Sequence, residues 1–295
     1  MTQAPLLISV APNGARRMKS DHPAIPLTPR ELADEAVRCA DAGARLFHLH
    51  VRKPDGGHSL EPADYLDALT AIGGAVADRL IVQITTEACG VYERAAQMRT
   101  VRDIRPEAAS FAVREYFGEG ADEAESASFF AWVHAAGIAA QFIVYTPAEV
   151  DLLKSLCTRG VLRDARPSVL FVLGLYLQDE DEDGASLAQF LAGWRDAGPW
   201  SVCAFGRREI TIAAKVIALG GHVRVGFENN LRRPDGSLLA SNAEQVAEVA
   251  RQAEIVDRNL ISIAGARALL GLGSTAPGAS ASPAAGVTSR AAHPD

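Results

Sequence analysis

Cysteine is scarce and never arranged as a motif. Cys39, Cys89, Cys157 and Cys203 are the only four in 295 residues, and none falls in a CxxC or zinc-finger spacing. That excludes a disulfide scaffold and a thiolate metal site, and it fits a reducing cytosol. Positive charge is also short, with 29 Lys and Arg against 36 Asp and Glu and a net charge of −7. A surface of that sign repels phosphate backbones, so nucleic acid is not an expected partner. No apolar run approaches the ~18 residues that a membrane span needs. The opening MTQAPLLISVAPNG lacks the basic start of a signal peptide. What the chain does have is 48% hydrophobic residues, ample for a large core, which excludes a mostly disordered protein.

The apolar residues fall into short β-capable runs alternating with helical patterns. Leu6–Ala11 ends at Pro12-Asn13-Gly14, and Thr28-Pro29-Arg30-Glu31 then opens a helix with an N-cap, a proline at its first position and a glutamate at its third. That helix ends at Ala42-Gly43. Leu46–Val51 reads as a strand, Pro54–Gly57 as a loop and Glu61–Ala77 as a helix. Further strands are predicted at Leu80–Thr85, Ala108–Val113, Ala139–Val144, Ser168–Leu173, Ser201–Phe205 and Val223–Phe227. Helices are predicted to follow them at Val91–Arg102, Glu123–Ala135, Pro147–Leu156, Ser186–Ala197, Arg208–Leu219 and Asn242–Asp257. Eight βα units over roughly 260 residues, with no Gly-rich dinucleotide turn after the first strand, predict a single-domain (β/α)8 TIM barrel rather than an open sheet. The barrel is expected over 1–272, closing with a helix at Ala264–Leu272. The Ala/Gly/Ser/Pro-rich segment 273–295 is expected to be a disordered tail.

Such barrels carry their chemistry at the C-terminal ends of the strands. His48-Leu49-His50 ends the second predicted strand, and the period of two sends both imidazoles to one face. Two ring nitrogens there suit zinc or another divalent transition metal, with a carboxylate as third ligand and an open position for substrate. Glu228, just past the eighth strand, is the candidate carboxylate. Hydrogen-bonded core histidines are the competing reading of the pair. His58 reads as exposed or substrate-facing, and His22, His134 and His222 as structural.

The run Ser9–Ala15, then Pro26–Pro29, Gly43-Ala44, His48–Arg52, Asp55-Gly56, Gln83–Thr86, Phe171–Gly174, Gly220–Glu228 and Ser241–Ala243, resembles the bacterial β-keto acid cleavage enzymes in order and spacing. The resemblance implies a zinc-dependent (β/α)8 acyltransferase that works on a β-keto acid and acetyl-CoA and releases acetoacetate and a new acyl-CoA. It assigns His48, His50 and Glu228 to the metal and Arg224 to positioning the reacting groups. It assigns Thr85 and Thr86 to the substrate carboxylate; Asn13, Gly14 and Arg16, in the loop after the first strand, are also expected at the substrate. A cytoplasmic homotetramer that binds these small molecules, and no membrane, is implied.

The chain also departs from that family. Asn229 stands where the family has an aspartate after the metal-binding glutamate, and Arg16 stands where an acidic residue follows the first strand. An amide does not accept a proton as a carboxylate does, so the catalytic base is expected elsewhere: Glu115 first, with Glu87 beside it. Arg16 and Arg114 are alternatively expected to hold an extra anionic group. Gln141–Tyr145 and Leu175–Gln178 replace family sequences at the mouth, which predicts a different substrate side-chain pocket. Two other functions stay open at this point: a metal-dependent lyase or hydrolase that needs no coenzyme A, and a non-catalytic carboxylate-binding barrel.

Overall fold

The computed structural model describes residues 3–164, 166–174, 185–194 and 197–273. The chain opens with β1 (Ile8–Val10), α1 (Pro29–Ala42), β2 (Leu46–Leu49), β3 (Val51–Arg52), β4 (His58–Ser59) and α2 (Pro62–Val76). It continues through β5 (Ile81–Thr85), α3 (Arg94–Ile104), β6 (Ala108–Ala112), α4 (Val113–Phe117), α5 (Glu123–Ala135) and β7 (Ala139–Val144). Next come α6 (Pro147–Thr158), β8 (Ser168–Leu173), α7 (Ala185–Trp194), β9 (Trp200–Ala204) and α8 (Glu209–Ala218). The described elements end with β10 (His222–Val225), α9 (Asn242–Ile255) and α10 (Ile263–Leu269). Eight of the strands close into one parallel barrel in the order β1-β10-β9-β8-β7-β6-β5-β2, the expected TIM architecture.

Local chemistry accounts for the element boundaries. Thr28 Oγ1 accepts from the Glu31 amide at 3.3 Å while the Glu31 carboxylate accepts from the Thr28 amide at 3.1 Å, the capping box expected for α1. Gly43 ends that helix at φ 118°, and a Cβ there would sit 2.8 Å from Leu260, so the turn needs glycine. The second strand is split within its apolar run. Leu46–Val51 divides after Leu49, and β3 folds back on β4 as an antiparallel hairpin with Pro54–Gly57 in its turn. Arg52 causes this divergence: its guanidinium donates to the carbonyls of Gly14 at 3.0 Å, Arg17 at 2.9 Å and Gly56 at 2.7 Å. The residues expected to be loop after β6 instead form the short helix α4, which carries Glu115.

The barrel has an apolar floor. Leu7, Leu46, Ile81, Ala108 and Ala139 meet Ile261 and Ala266 at the N-terminal ends of the strands, where α10 packs. Outward-facing residues such as Ile8, Phe47 and Ile84 join the surrounding helices in the main core. No helix among the described residues is long and apolar enough to cross a membrane. The expectations for Leu175–Gln178 and for the tail beyond Gly273 fall outside the described residues.

Candidate active site

Two strands that flank β1 in the closed sheet carry the central residues. His48 projects inward from β2, and His50 follows just past that strand's end. Their Nε2 atoms face each other at 3.1 Å. Gln83 on β5 sets the orientation: its amide oxygen accepts from His48 Nδ1 at 2.8 Å, and its amide nitrogen donates to Gln141 Oε1 at 3.3 Å. An amide oxygen only accepts, so the proton sits on Nδ1 and His48 Nε2 presents its lone pair to the site. Burial, reinforced by the Arg224 charge, lowers the His48 pKa to about 3, which keeps that imidazole neutral.

Glu228 arrives from the turn after β10. Gly226 adopts φ 139°, and a Cβ there would lie 2.2 Å from the Ala11 carbonyl oxygen, so glycine lets the turn close on the first loop. The Glu228 amide then donates to Ala11 O at 3.1 Å. The buried Glu209 carboxyl braces the same turn by accepting from the Gly226 amide at 3.3 Å and from Gln245 Nε2 at 2.6 Å. Glu228 Oε2 lies 3.3 Å from His50 Nε2 and 3.8 Å from His48 Nε2, while Oε1 accepts from Arg224 Nη2 at 3.1 Å. Burial opposes ionisation of this carboxyl. The Arg224 guanidinium and the two imidazoles outweigh it and hold the pKa well below the usual carboxylate range.

The three side chains fit a divalent cation. Their ligand atoms lie within 4.8 Å of one another, and all three residues are buried. Glu228 Oε2 faces both imidazoles without making a hydrogen bond, so a fully buried carboxylate oxygen has its remaining electron pairs directed at two ring nitrogens. A shared metal ion would satisfy all three at once.

A cavity of about 240 Å³ opens above them at the C-terminal mouth. His48, Thr85, Arg16, Glu115, Arg224 and Glu228 line it, which brings together much of the predicted set. Glu115 accepts from the Ala88 amide at 3.2 Å and from Gln97 Nε2 at 2.6 Å, yet burial pushes its pKa up to about 7. Arg16 lies 3.4 Å from Glu87, and Arg114 donates to Glu149 at 2.6 Å.

Other predicted residues are not among those lining the cavity. The strand's alternation separates Thr86 from Thr85, and the Thr86 hydroxyl donates to the Ser110 carbonyl at 2.8 Å. Asn13 donates to the carbonyls of Pro26 at 3.0 Å and His50 at 3.1 Å, and Gly14 offers its carbonyl to Arg52. These three residues brace the site. Asn229 is fully buried beside Glu228, and neither atom of its amide makes a hydrogen bond. His58 departs from its expected exposure: it is buried, and its Nε2 lies 2.8 Å from the Glu87 carbonyl. Ile143 and Tyr145, from the Gln141–Tyr145 run expected to alter the pocket, line the cavity, and Ser110, Val172 and Phe205 line it without having been singled out in the sequence. Each is an isolated residue whose role shows only when the strand ends assemble.

The profile of the β-keto acid cleavage enzymes matches residues 5–272. The chain is 30% identical to the 3-keto-5-aminohexanoate cleavage enzyme of Fusobacterium nucleatum, over 90% of this chain and 98% of the relative. It is 31% identical to the 3-oxoadipate:acetyl-CoA acetyltransferase of Cupriavidus necator, over 92% of this chain and 96% of that protein. Among solved structures, ObcA in ternary complex with a C4-CoA adduct and oxalate superposes with a TM-score of 0.67 at 20% identity, over 85% of this chain and 68% of that one, which is a likeness of fold. With the matched profile covering nearly all of the described barrel, the chain belongs to the β-keto acid cleavage enzyme family.

Proposed function

We propose that this protein condenses a β-keto acid with acetyl-CoA to give acetoacetate and a new acyl-CoA, using a divalent metal, zinc first. The observation that carries the proposal is the buried His48–His50–Glu228 cluster beside Arg224 at the floor of a mouth cavity, in a chain of this family. Relatives are named for acetyl-CoA-dependent reactions on 3-oxoadipate and 3,5-dioxohexanoate, among other substrates. The exchange balances. The bond between the α-carbon and the keto carbon and the bond between the acetyl carbon and sulfur both break, the α-carbon joins the acetyl carbon, and the released acyl group takes the coenzyme A sulfur.

A divalent cation held by His48, His50 and Glu228 supplies Lewis acidity toward a chelated β-keto acid when bound. The remaining work falls to the chain's own side chains. Arg224, fixed by Glu228, places a guanidinium where oxygen gains negative charge. Thr85 Oγ1 accepts from the Glu87 amide at 3.0 Å, which leaves its hydroxyl proton to donate to a substrate carboxylate. Ser110 Oγ is buried with no hydrogen-bond partner among the described residues and supplies a second hydroxyl. Glu115, with its pKa near neutrality, serves as the proton acceptor that Asn229 does not provide. The four cysteines are free thiols, which suits a cytoplasmic enzyme, and family analogy makes it a homotetramer.

The test is to incubate metal-loaded protein with a panel of β-keto acids, with and without acetyl-CoA, and to follow acetoacetate and acyl-CoA. Formation of both products only when acetyl-CoA is present supports the proposal. Cleavage without acetyl-CoA assigns a lyase or hydrolase instead, and bound metal with no turnover of any acid assigns a binding protein.

A further inference from the structure

The mouth cavity has two unlike sides. The metal-site residues belong to β2 and to β10 and the turn after it, which flank β1. Around the rest of the barrel, β6, β7 and β8 offer Ala112, Ile143 and Val172 to the same cavity, and Phe205 joins them from just past β9, the neighbour of β10. Ala112 and Ile143 are Cα partners across β6 and β7, and Val172 pairs with Cys203 across β8 and β9. With Leu170 these form one cluster of buried side chains, against which Tyr145 and Phe205 pack. The wall is therefore continuous over four adjacent strands.

The arginines at the cavity already have carboxylate partners, and Glu115 beside them is held by the Ala88 amide and by Gln97. Arg16 stands beside Glu87 at 3.4 Å, and Arg114 is engaged with Glu149 at 2.6 Å while its guanidinium lies 4.0 Å above the centre of the Tyr145 ring. Arg224 is bound to Glu228. A substrate with its keto oxygen on the β2 and β10 side and its carboxylate at Thr85 and Ser110 would extend its far end toward Ile143, Val172 and Phe205. A charged group placed there loses its water and gains no partner from Ala112, Ile143 or Val172. An alkyl group gains burial.

We infer that Ala112, Ile143, Val172 and Phe205 form an acyl-side-chain pocket that selects β-keto acids with a short uncharged alkyl end, against those ending in a carboxylate or an ammonium. This rests on the proposed acetyl-CoA reaction, and it names the group at the far end of the acid. Selectivity follows from the loss of solvation, which excludes a charge more strongly than a missing methylene weakens binding.

The experiment compares kcat/KM for straight-chain alkyl β-keto acids, a β-keto dicarboxylic acid and an amino-substituted β-keto acid, on metal-loaded full-length protein with acetyl-CoA. Alkyl acids are expected to lead by ~10²-fold or more. Ile143→Glu is expected to remove that lead and raise turnover of the amino-substituted acid. Val172→Ala, which only enlarges the pocket, is expected to move the optimum to a longer alkyl chain and serves where Ile143→Glu fails to fold. Acetoacetate formed from the charged acids as fast as from the alkyl acids, or an unchanged chain-length optimum in Val172→Ala, overturns the pocket assignment while leaving the acyl transfer standing. Acetoacetate from none of the acids overturns both.

Discussion

The two ends of the barrel are built from the same strands with opposite chemistry. At the N-terminal end Leu46, Ile81, Ala108 and Ala139 interdigitate as an apolar floor. Two residues further along the same strands stand His48, Gln83, Ser110 and Gln141, all buried and all polar. The period of two keeps both sets inside the barrel, so the change from oil to hydrogen bond happens within one pleat. The polar tier is connected, running from His48 to Gln83, then to Gln141, and from Gln141 Nε2 to Ser168 Oγ at 3.2 Å. The floor gives stability without direction, and the tier above it gives direction to His48 at the expense of burying amides.

Substitutions at each level should separate these roles. The largest effect is expected at the metal cluster: Glu228→Gln should lose both bound metal and turnover, measured by elemental analysis and acetoacetate formation, with the fold retained by circular dichroism. Glu115→Gln comes next, with a loss of ~10²–10⁴-fold in kcat. In the parent enzyme, activity should rise as pH passes about 7 and the carboxyl ionises, and the variant should lack that limb.

Stability should show the same group with the opposite trend. The folded pKa is raised from 4.5 to about 7, so between those values the unfolded chain binds fewer protons than the folded one. Unfolding free energy therefore falls as pH rises through this window, and denaturant titrations of Glu115→Gln should show a flatter dependence. Arg224→Ala should cost ~10²–10³-fold in kcat with metal still bound if, as proposed, the residue stabilises developing charge without being a ligand. Gln83→Ala should weaken metal binding by ~10–100-fold through the loss of His48 orientation, measured by competition with a chelator. Smallest in catalysis is Leu46→Ala, expected to cost ~2–5 kcal/mol of stability while turnover per folded molecule is unchanged. A Leu46→Ala enzyme that lost metal would break the distinction between floor and tier.

Much of this organisation is legible in the sequence because it repeats. Alternation of short strands with capped helices yields the closed barrel, and His48 and His50 sit at the spacing that turns two side chains to one face of a strand. Glu228 is recognisable by position, one step beyond the predicted strand end and in the turn after β10. Legibility stops where the geometry depends on distant chain segments. Arg52 breaks the Leu46–Val51 run by reaching carbonyls in the first loop, and no local propensity encodes that reach. Thr85 and Thr86 look equivalent as a pair of hydroxyls, yet the pleat gives one to the cavity and the other to the Ser110 carbonyl. Ser110, Ile143 and Val172 carry no spacing signal at all, because each comes from a different strand.

The ligand-bearing segments also lie far apart along the chain, His48 and His50 near one end and Glu228 near the other, and they become neighbours only where β10 and β2 close on β1. No fragment emerging early from the ribosome holds the complete trio. A cation shared by the three, as proposed, would therefore be captured late in biosynthesis, once the barrel has closed.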